Sequence, residues 1–545
     1  MTVTEEVKSF LKGEALDDEE TLKKYGRDAS LFQIQPQLVV WPKDVEDIKN
    51  LVAFTNEHNL RSSQDLKLSL TARSAGTDMT GGPLNESIIL DFTKYFNHIK
   101  NIRTYDVLNF GGEVVVEPGV YYRDFEKETL KKGLLLPSYP ASREICAVGG
   151  MVANNAGGEK TLSYGKTDKY VQELKVVLSD GGEYAIRPLN KGELENKMAQ
   201  TDFEGKIYRE LYKLIIDNWQ LIIAAKPNVS KNSAGYALWD VWDGQNFDLT
   251  KIIVGSQGTL GIITEIKFNL IRPAKHSKLL VILLRDMSKL VEAVHRVLRF
   301  QPESFEFFDD HTMRLGIRYM FWRFAFKFLP ELWLTITTGG LPKLALLAEF
   351  TGDSLEEIDK QMKAAQDSLK DLNIKSRITK DEADAQKYWT LRRESFNLLR
   401  TKIKDRKTAP FIDDIIVLPE KLPEFLPKLN AILDQYPKII FTLAGHIGDG
   451  NIHVIPLVNF NDSEQKAAIP KIIQKVHNLI FEFKGSMTAE HNDGLTRSPF
   501  LAQMYGEPVY ELFKKVKQIF DPDNIFNPGK KVGADLDYAM GHLRK

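Results

Sequence analysis

The sequence predicts an α+β fold built from two unequal modules. Three observations carry that expectation. Before residue 272, short β-prone runs alternate with glycine-rich turns, without the regular strand–helix–strand repetition of a doubly wound sheet. After Pro273 the texture changes to strand, amphipathic helix, strand, helix. A chain of 545 residues with 43% hydrophobic content can also bury two or three domain cores.

The elements follow in order. Residues 1–30 look polar and helical, ending near Tyr25-Gly26. Residues 38–42 read as a strand, and Asp44 then caps a helix whose apolar face is Ile48, Leu51, Val52 and Phe54. Strand-like runs follow at 87–92, 112–119, 173–182 and 261–268. Beyond a boundary at 272–276 come a strand (277–284), a helix (287–300), a strand (344–350) and a helix (355–372). The predicted division is an N-terminal helical segment (1–30), a first module (31–274), a second (275–519) and a C-terminal segment (520–545).

Composition excludes several classes. Net charge is −1 with pI near 6.8, so no basic field for nucleic acid exists. The single cysteine, Cys146, excludes an internal disulfide framework and a cysteine-ligated iron–sulfur cluster within this chain. The acidic N-terminus has no secretory signal pattern, and no run of 18 apolar residues occurs, so a cytoplasmic location is expected. Segment 311–334 stands out, with Arg314, Arg318, Arg323 and Lys327 among aromatics and no acid between Asp310 and Glu331. It reads either as a buried or partner-covered helix or as a peripheral contact with the inner face of a membrane. At about 100° per residue Arg314 and Arg323 fall on opposite sides, which favours the first reading.

The chemistry concentrates near the C-terminal end. Asp449-Gly450 lies between two β-prone runs and predicts a two-residue type I′ hairpin. That register sets His446 directly opposite His453, with Cβ atoms about 4.5–5.5 Å apart, close enough to share a divalent metal. Downstream, Glu490 and His491 offer a carboxylate and another imidazole. Ordinary hydrogen-bonded histidines are the competing reading.

Three glycine-rich segments precede residue 265, and none is a Rossmann or Walker motif. The first holds Arg73, Ser74, Ala75, Gly76, Thr77, Thr80 and Gly81. Closely spaced glycines let successive amides face one anion, and a diphosphate is the natural occupant. The second holds Gly149, Gly150, Asn154, Asn155, Gly157 and Gly158, continued by Tyr164-Gly165. The third, 255–264, holds Gly258, Thr259, Ile262 and Ile263.

In order and spacing these segments, with the histidine hairpin, Ala489-Glu490-His491-Asn492-Asp493-Gly494 and 520–530, resemble one flavoprotein family. It is that of vanillyl-alcohol oxidase and p-cresol methylhydroxylase, in its D-lactate, D-2-hydroxyglutarate and glycolate dehydrogenase branch. The resemblance covers roughly residues 30 to 532. It implies a two-subdomain FAD-binding module, an α+β substrate (cap) domain and a C-terminal segment returning to the FAD domain. Residues 73–82 would hold the FAD diphosphate, 137–165 from Pro137 onward would follow the flavin and ribityl chain, and Ile262 and Ile263 would meet the pyrimidine side. Asn527 would fold back on the FAD domain. No histidine neighbours the first segment, so noncovalent FAD is expected, with His58 and His98 ordinary surface residues.

By the same resemblance His446, His453 and Glu490 ligate a divalent metal, with zinc the first expectation and manganese, iron or cobalt compatible. His491 is the base. Arg393, in Trp389-Thr-Leu-Arg-Arg-Glu-Ser395, takes the substrate carboxylate, against a surface Arg–Glu pair as the alternative. The implied activity is oxidation of a D-2-hydroxy acid. D-lactate is favoured because the lysine that D-2-hydroxyglutarate enzymes carry has no match near 408–414, Lys407 being the nearest. D-2-hydroxyglutarate or glycolate oxidation, an alkylglycerone-phosphate-synthase-like transfer, and a flavin subunit of an electron-transfer complex are the alternatives. Electrons would leave to a cytochrome, a quinone, an iron–sulfur partner or dioxygen, with 311–334 a candidate docking surface. The chain departs from the family's Glu-His-Gly-Ile-Gly at Asn492-Asp493.

Overall fold

The structure, a computed structural model, describes residues 2–63, 67–107, 110–314, 341–402 and 405–544, with the side chains of 106–107 and 393–402 outside that description. From residue 315 on, the predicted basic aromatic stretch lies outside the described residues.

Four short strands, β1 (Glu14–Leu16), β2 (Leu38–Trp41), β3 (Leu70–Arg73) and β4 (Ile88–Asp91), form the first sheet in the order β1-β2-β4-β3. Three of them run parallel, and β1 adds antiparallel to β2 through Ala15 and Val40. The N-terminal 30 residues therefore contribute a strand to this sheet as well as helices. The helix Val45–Arg61 covers the sheet; the Asp44 carboxylate accepts from the Asp47 amide at 3.1 Å, as its capping role requires. Ile48, Leu51 and Val52 from that helix and Val40, Leu70, Ile88 and Leu90 from the strands make one core.

The second sheet takes β5 (Ile99–Val107), β6 (Phe110–Val116), β7 (Val171–Val177) and β8 (Glu183–Ile186). After a two-stranded ribbon of β9 (Leu189–Asn190) and β10 (Asn246–Phe247), it is closed by β11 (Ile262–Leu270), in the order β5-β6-β11-β7-β8. β11 alternates strictly between buried and half-buried residues, the signature of a strand with one face on a core. That core includes Val114, Leu174, Ile266 and Phe268, with Ile207, Leu211 and Ile215 from the helix Phe203–Asp217.

The cap is an eight-stranded sheet made of β12 (His276–Leu284), β13 (Ser304–Asp309), β14 (Leu344–Gly352), β15 (Lys375–Ile378), β16 (Lys407–Thr408), β17 (Ile415–Ile416), β18 (Ile440–His446) and β19 (Asn451–Val458). The order is β15-β12-β14-β13-β18-β19-β16, with β17 also on β19. Helices Leu290–Leu298, Leu355–Asp367, Leu422–Leu433 and Ser463–Glu482 bury apolar faces against it. β13 is buried along its whole length although it carries Glu306 and Asp309. After the helix Glu507–Phe520 the chain returns to the first sheet, where the Asn527 amide N–H donates to the Leu70 carbonyl at 2.9 Å.

One expectation is overturned. His446 pairs with Asn451 and His453 with Ala444, so four residues, 447–450, make the turn. Gly450 has φ +75°, but Asp449 is not in the left-handed region, which excludes a type I′ turn. The two histidines share a face diagonally rather than directly opposite. Their ring centroids still lie 5.2 Å apart, nearly perpendicular.

Candidate active site

The glycine-rich segments converge on one cleft, partly open to solvent. Ser74, Ala75, Gly76 and Thr77 line it from the first segment, Gly149, Gly150 and Asn154 from the second, and Gly258 and Ile263 from the third. The lining fits a large planar cofactor with a phosphate tail. A Cβ on Gly150 or Gly258 would meet, within 4 Å, only the side chains of Ser74 and Ala72, so the space above both is open. Gly76, at φ +66°, turns the first segment around the cleft.

Other predicted contacts stand elsewhere. The amides of Thr80 and Gly82 donate to Asp78 Oδ2 at 3.0 and 2.7 Å, and that of Gly81 to Asp28 Oδ2 at 3.1 Å. An amide spent on a carboxylate does not face a phosphate, so these three amides drop out of the expected anion nest. Arg73 walls the cleft, but its guanidinium donates to the carbonyls of Tyr25 and Arg27 at 3.0 and 2.7 Å. Pro137, Thr259 and Ile262 are buried and do not line the cleft, with the Thr259 hydroxyl donating to the Ser256 carbonyl at 2.7 Å. Asn155, left-handed at φ +51°, ends the helix Val148–Asn154 and accepts from the Asp168 amide at 3.0 Å. Gly158 presses on the Tyr139 carbonyl, Gly165 ends a short helix at φ +75°, and the Tyr164 hydroxyl donates to Glu303 at 3.0 Å. The Asn527 side-chain amide donates to the carbonyls of Gly82 and Gln257 at 2.9 and 2.7 Å, tying the first segment to the third. Gly157 faces the second half of the site: a Cβ there would lie 3.1 Å from Glu490 Oε1.

That second half is a buried cluster of acids and imidazoles on the cap. His446 Nδ1 meets Glu306 Oε1 at 2.5 Å, and His446 Nε2 lies 3.5 Å from Glu490 Oε2. His453 Nδ1 meets Asp413 Oδ1 at 3.0 Å. His491 stacks on His453 with centroids 5.1 Å apart, and its Nδ1 is 3.3 Å from Asp413 Oδ2, close enough for an ion pair but not aligned as a hydrogen bond. Asp414, left-handed at φ +69°, organises the segment that carries these groups. Its Oδ2 accepts from the Thr488 hydroxyl and from the amides of Ala489, Glu490 and His491 at 2.7–2.9 Å.

The cluster polarises its members strongly. Burial disfavours the charged ring of His446, but Glu306 outweighs it and pushes the group up to about 9. Burial likewise opposes charge on His491, and Asp414 and Asp413 push it up to about 9. Burial would raise the Asp413 carboxyl; His491 and His453 override it and hold it far below the usual range. For Glu490 burial is overcome by Lys231 and His446, again well downward.

Asp414, His453, Glu490 and His491 bring ligand atoms within 4.8 Å of one another, a set that could hold a metal ion. It differs from the predicted trio by including Asp414 and His491 and leaving out His446. Four donors already occupy one Asp414 oxygen, so it serves the loop first. In the predicted trio both histidines have Nδ1 backed by a carboxylate, which turns Nε2 outward. That is the arrangement metal-binding imidazoles adopt. The donor chemistry therefore fits a divalent ion.

Sequence reasoning missed Glu306, Asp413, Asp414, Lys231 and Arg392. A lone acid inside the apolar run 304–308 and the adjacent acids ending 408–414 were the available signals for the first three. Arg392 Nη2 reaches Glu306 Oε2 at 3.1 Å. The predicted Arg393 lies on the same helix, Glu382–Lys402, with its side chain outside the described residues. Lys407 begins the edge strand β16, with its side chain exposed. The departure at Asn492 also has a reason: it sits at φ +71°, and its amide donates to the carbonyls of Asn154 and Gly255 at 3.1 and 2.8 Å. This locks the cap cluster to the second and third glycine-rich segments.

A flavin cleft walled by these segments, beside a histidine–carboxylate cluster on an α+β cap, defines an FAD-linked oxidoreductase. Family comparison agrees: the model for "FAD linked oxidases, C-terminal domain" matches residues 273–531, and that for "FAD binding domain" matches 36–185. The chain thus carries the FAD-binding and C-terminal domains of FAD linked oxidases. It is 26% identical over 528 residues to a D-2-hydroxyglutarate dehydrogenase of Pseudomonas putida, covering 96% of this chain and 51% of that protein. It is 25% identical to a D-lactate dehydrogenase of Anaerostipes hadrus, covering 96% and 94%. Among solved structures, p-cresol methylhydroxylase with substrate bound superposes with a TM-score of 0.66 at 18% identity, covering 96% and 94%, a likeness of fold. The chain spans about half the length of the first of these curated relatives. Among the described residues no helix is long and apolar enough to cross a membrane.

Proposed function

We propose that the chain oxidises a D-2-hydroxy acid, D-lactate foremost, at a noncovalent FAD beside a divalent metal held by His446, His453 and Glu490. The observation that carries this reading is the pair of carboxylate-backed histidines, His446 on Glu306 and His453 on Asp413, set beside the cleft. When bound, FAD supplies an acceptor for hydride at its N5 atom. A divalent ion, zinc first among them, supplies Lewis acidity toward the 2-hydroxyl and one carboxylate oxygen of the substrate.

The chain's own residues do the rest. Asp413 orients His453 through Nδ1 and stands beside His491, so one carboxylate aligns a ligand and the base. His491 takes the hydroxyl proton at Nε2. In the metal-free cluster Asp414 and Asp413 hold its proton tightly, to about 9. A divalent ion held by His446, His453 and Glu490 would oppose that and favour the neutral ring a base requires. Arg392, anchored on Glu306, or Arg393 one position on, supplies the planar cation for the substrate carboxylate. Residues 489–494 pack against the FAD-side segments through the Asn492 side-chain amide.

The test is anaerobic addition of D-lactate, L-lactate, D-2-hydroxyglutarate and glycolate to the flavin-loaded protein, followed at the flavin band. D-lactate is expected to bleach it and L-lactate to leave it unchanged. Bleaching by D-2-hydroxyglutarate alone would replace the substrate, and no bleaching by any of the four would overturn the reading. The electron acceptor belongs to the same proposal: a cytochrome, a quinone or an iron–sulfur partner.

A further inference from the structure

We propose that Lys231, contributed by the FAD-binding side, is a positioning residue that holds Glu490 as a one-oxygen metal ligand. The inference rests on the metal reading above and goes beyond it to a residue outside the ligand set. The Lys231 side chain is 2% exposed. Its ammonium donates to Glu490 Oε1 at 2.6 Å and lies 3.3 Å from Asp449 Oδ2. Glu490 Oε2 is thereby left as the oxygen turned toward His446 Nε2, 3.5 Å away. Gly157 stands on the Oε1 side without a Cβ, and among the described residues Lys231 is the FAD-side group that hydrogen-bonds that oxygen.

Other buried cations near the cluster have different duties. Lys166 donates to the carbonyls of Asn232 and Ala489 and to the Ser233 hydroxyl. Lys531 holds Asp493 at 2.8 Å, and Arg497 donates to the carbonyls of Asn492 and Asp413. Lys231 ends on the expected ligand itself. Its loop is fixed independently, because the Ser233 amide donates to the Thr488 carbonyl and the Gly235 amide to Asp493. The cation therefore arrives from a rigid base. A short charge-assisted contact from such a base restricts carboxylate rotation. With Oε1 spoken for, the carboxylate closes on a metal through one oxygen. Freed, it can close through two and raise the coordination number. The residue also couples the domains: the metal ligand is shaped by the module that binds flavin.

The experiment uses FAD-loaded protein stripped of metal and titrated with Co²⁺, comparing wild type with Lys231→Met, Lys231→Gln and Lys231→Arg. Wild type is expected to give the strong visible bands of low-coordinate Co²⁺. Lys231→Met should bind about 10- to 100-fold more weakly, as loss of an outer partner does, with weaker bands from added coordination. Lys231→Arg should recover both affinity and spectrum, with Lys231→Gln between. FAD content and urea midpoint establish which variants fold; if Lys231→Met does not, the Gln and Arg variants carry the comparison. Variants that keep FAD and bind Co²⁺ with wild-type affinity and spectrum would overturn the inference. A wild-type protein that takes up no Co²⁺ overturns the metal reading, and this inference with it.

Discussion

Asp413 serves two histidines at once, His453 at 3.0 Å through one oxygen and His491 at 3.3 Å through the other. In the proposed mechanism one of these rings is a ligand and the other the base. Replacing His491 by Ala should leave FAD in place and slow flavin reduction by substrate about 10²- to 10⁴-fold, the usual range for a lost general base. A His491→Ala enzyme that bleaches at the wild-type rate would remove it from the proton path. At this scale the sequence carried the histidines and Glu490 but not their backing. Glu306 lies 140 positions from His446, and Lys231 259 from Glu490. Such pairings exist only after the sheets assemble, and no local pattern encodes them.

Among elements, the hairpin β18–β19 and the segment 488–494 set the cluster. The Asp-Gly pair signals a turn correctly, yet its length is decided by tertiary demand: Asp449 is buried against Lys231, and Gly450 alone takes the left-handed conformation. The elements read from periodicity have long apolar faces or local caps, as at Asp44, whereas the helices Phe203–Asp217, Leu422–Leu433, Ser463–Glu482 and Glu507–Phe520 were not read from it. The glycine-rich segments were legible as a cleft. The partners of their amides were not, since Asp28 and Asp78 claim three of them. Asn492 is a second test at this scale. Asn492→Gly keeps the backbone geometry and loses two amide bonds, whereas Asn492→Val adds the strain of a branched side chain at φ +71°. The Val variant should lose on the order of 2–4 kcal/mol and the Gly variant about half of that, read from urea midpoints. Equal midpoints would mean the left-handed turn is not what this position enforces.

Over the whole molecule, stability in acid is set within the cap core. His477, on the helix Ser463–Glu482, is fully buried, lies edge-on to Phe500 at 4.6 Å, and among the described residues neither ring nitrogen has a hydrogen-bond partner. Burial, helped by Arg497, lowers it to about 3. The sign follows directly. Above the ordinary value of about 6.5 both folded and unfolded chains keep the ring neutral, and the stability is fully present. Below it the unfolded chain binds a proton that the folded core refuses, so stability falls as pH drops toward 3. His477→Leu should flatten the urea midpoint between pH 6.5 and 4 relative to wild type. An unchanged slope would assign acid sensitivity to other groups.

The two halves of the site come from different modules, the cleft from the FAD side and the cluster from the cap, locked by Asn492 and Lys231. The claim that binds them is that substrate oxidation needs the metal held by the carboxylate-backed histidines. The most direct measurement is the rate of flavin reduction by D-lactate in FAD-loaded protein whose metal has been removed by chelation and verified by elemental analysis. The account predicts an oxidised flavin that stays oxidised until Zn²⁺ or Co²⁺ is restored. Reduction at an undiminished rate without metal would contradict it.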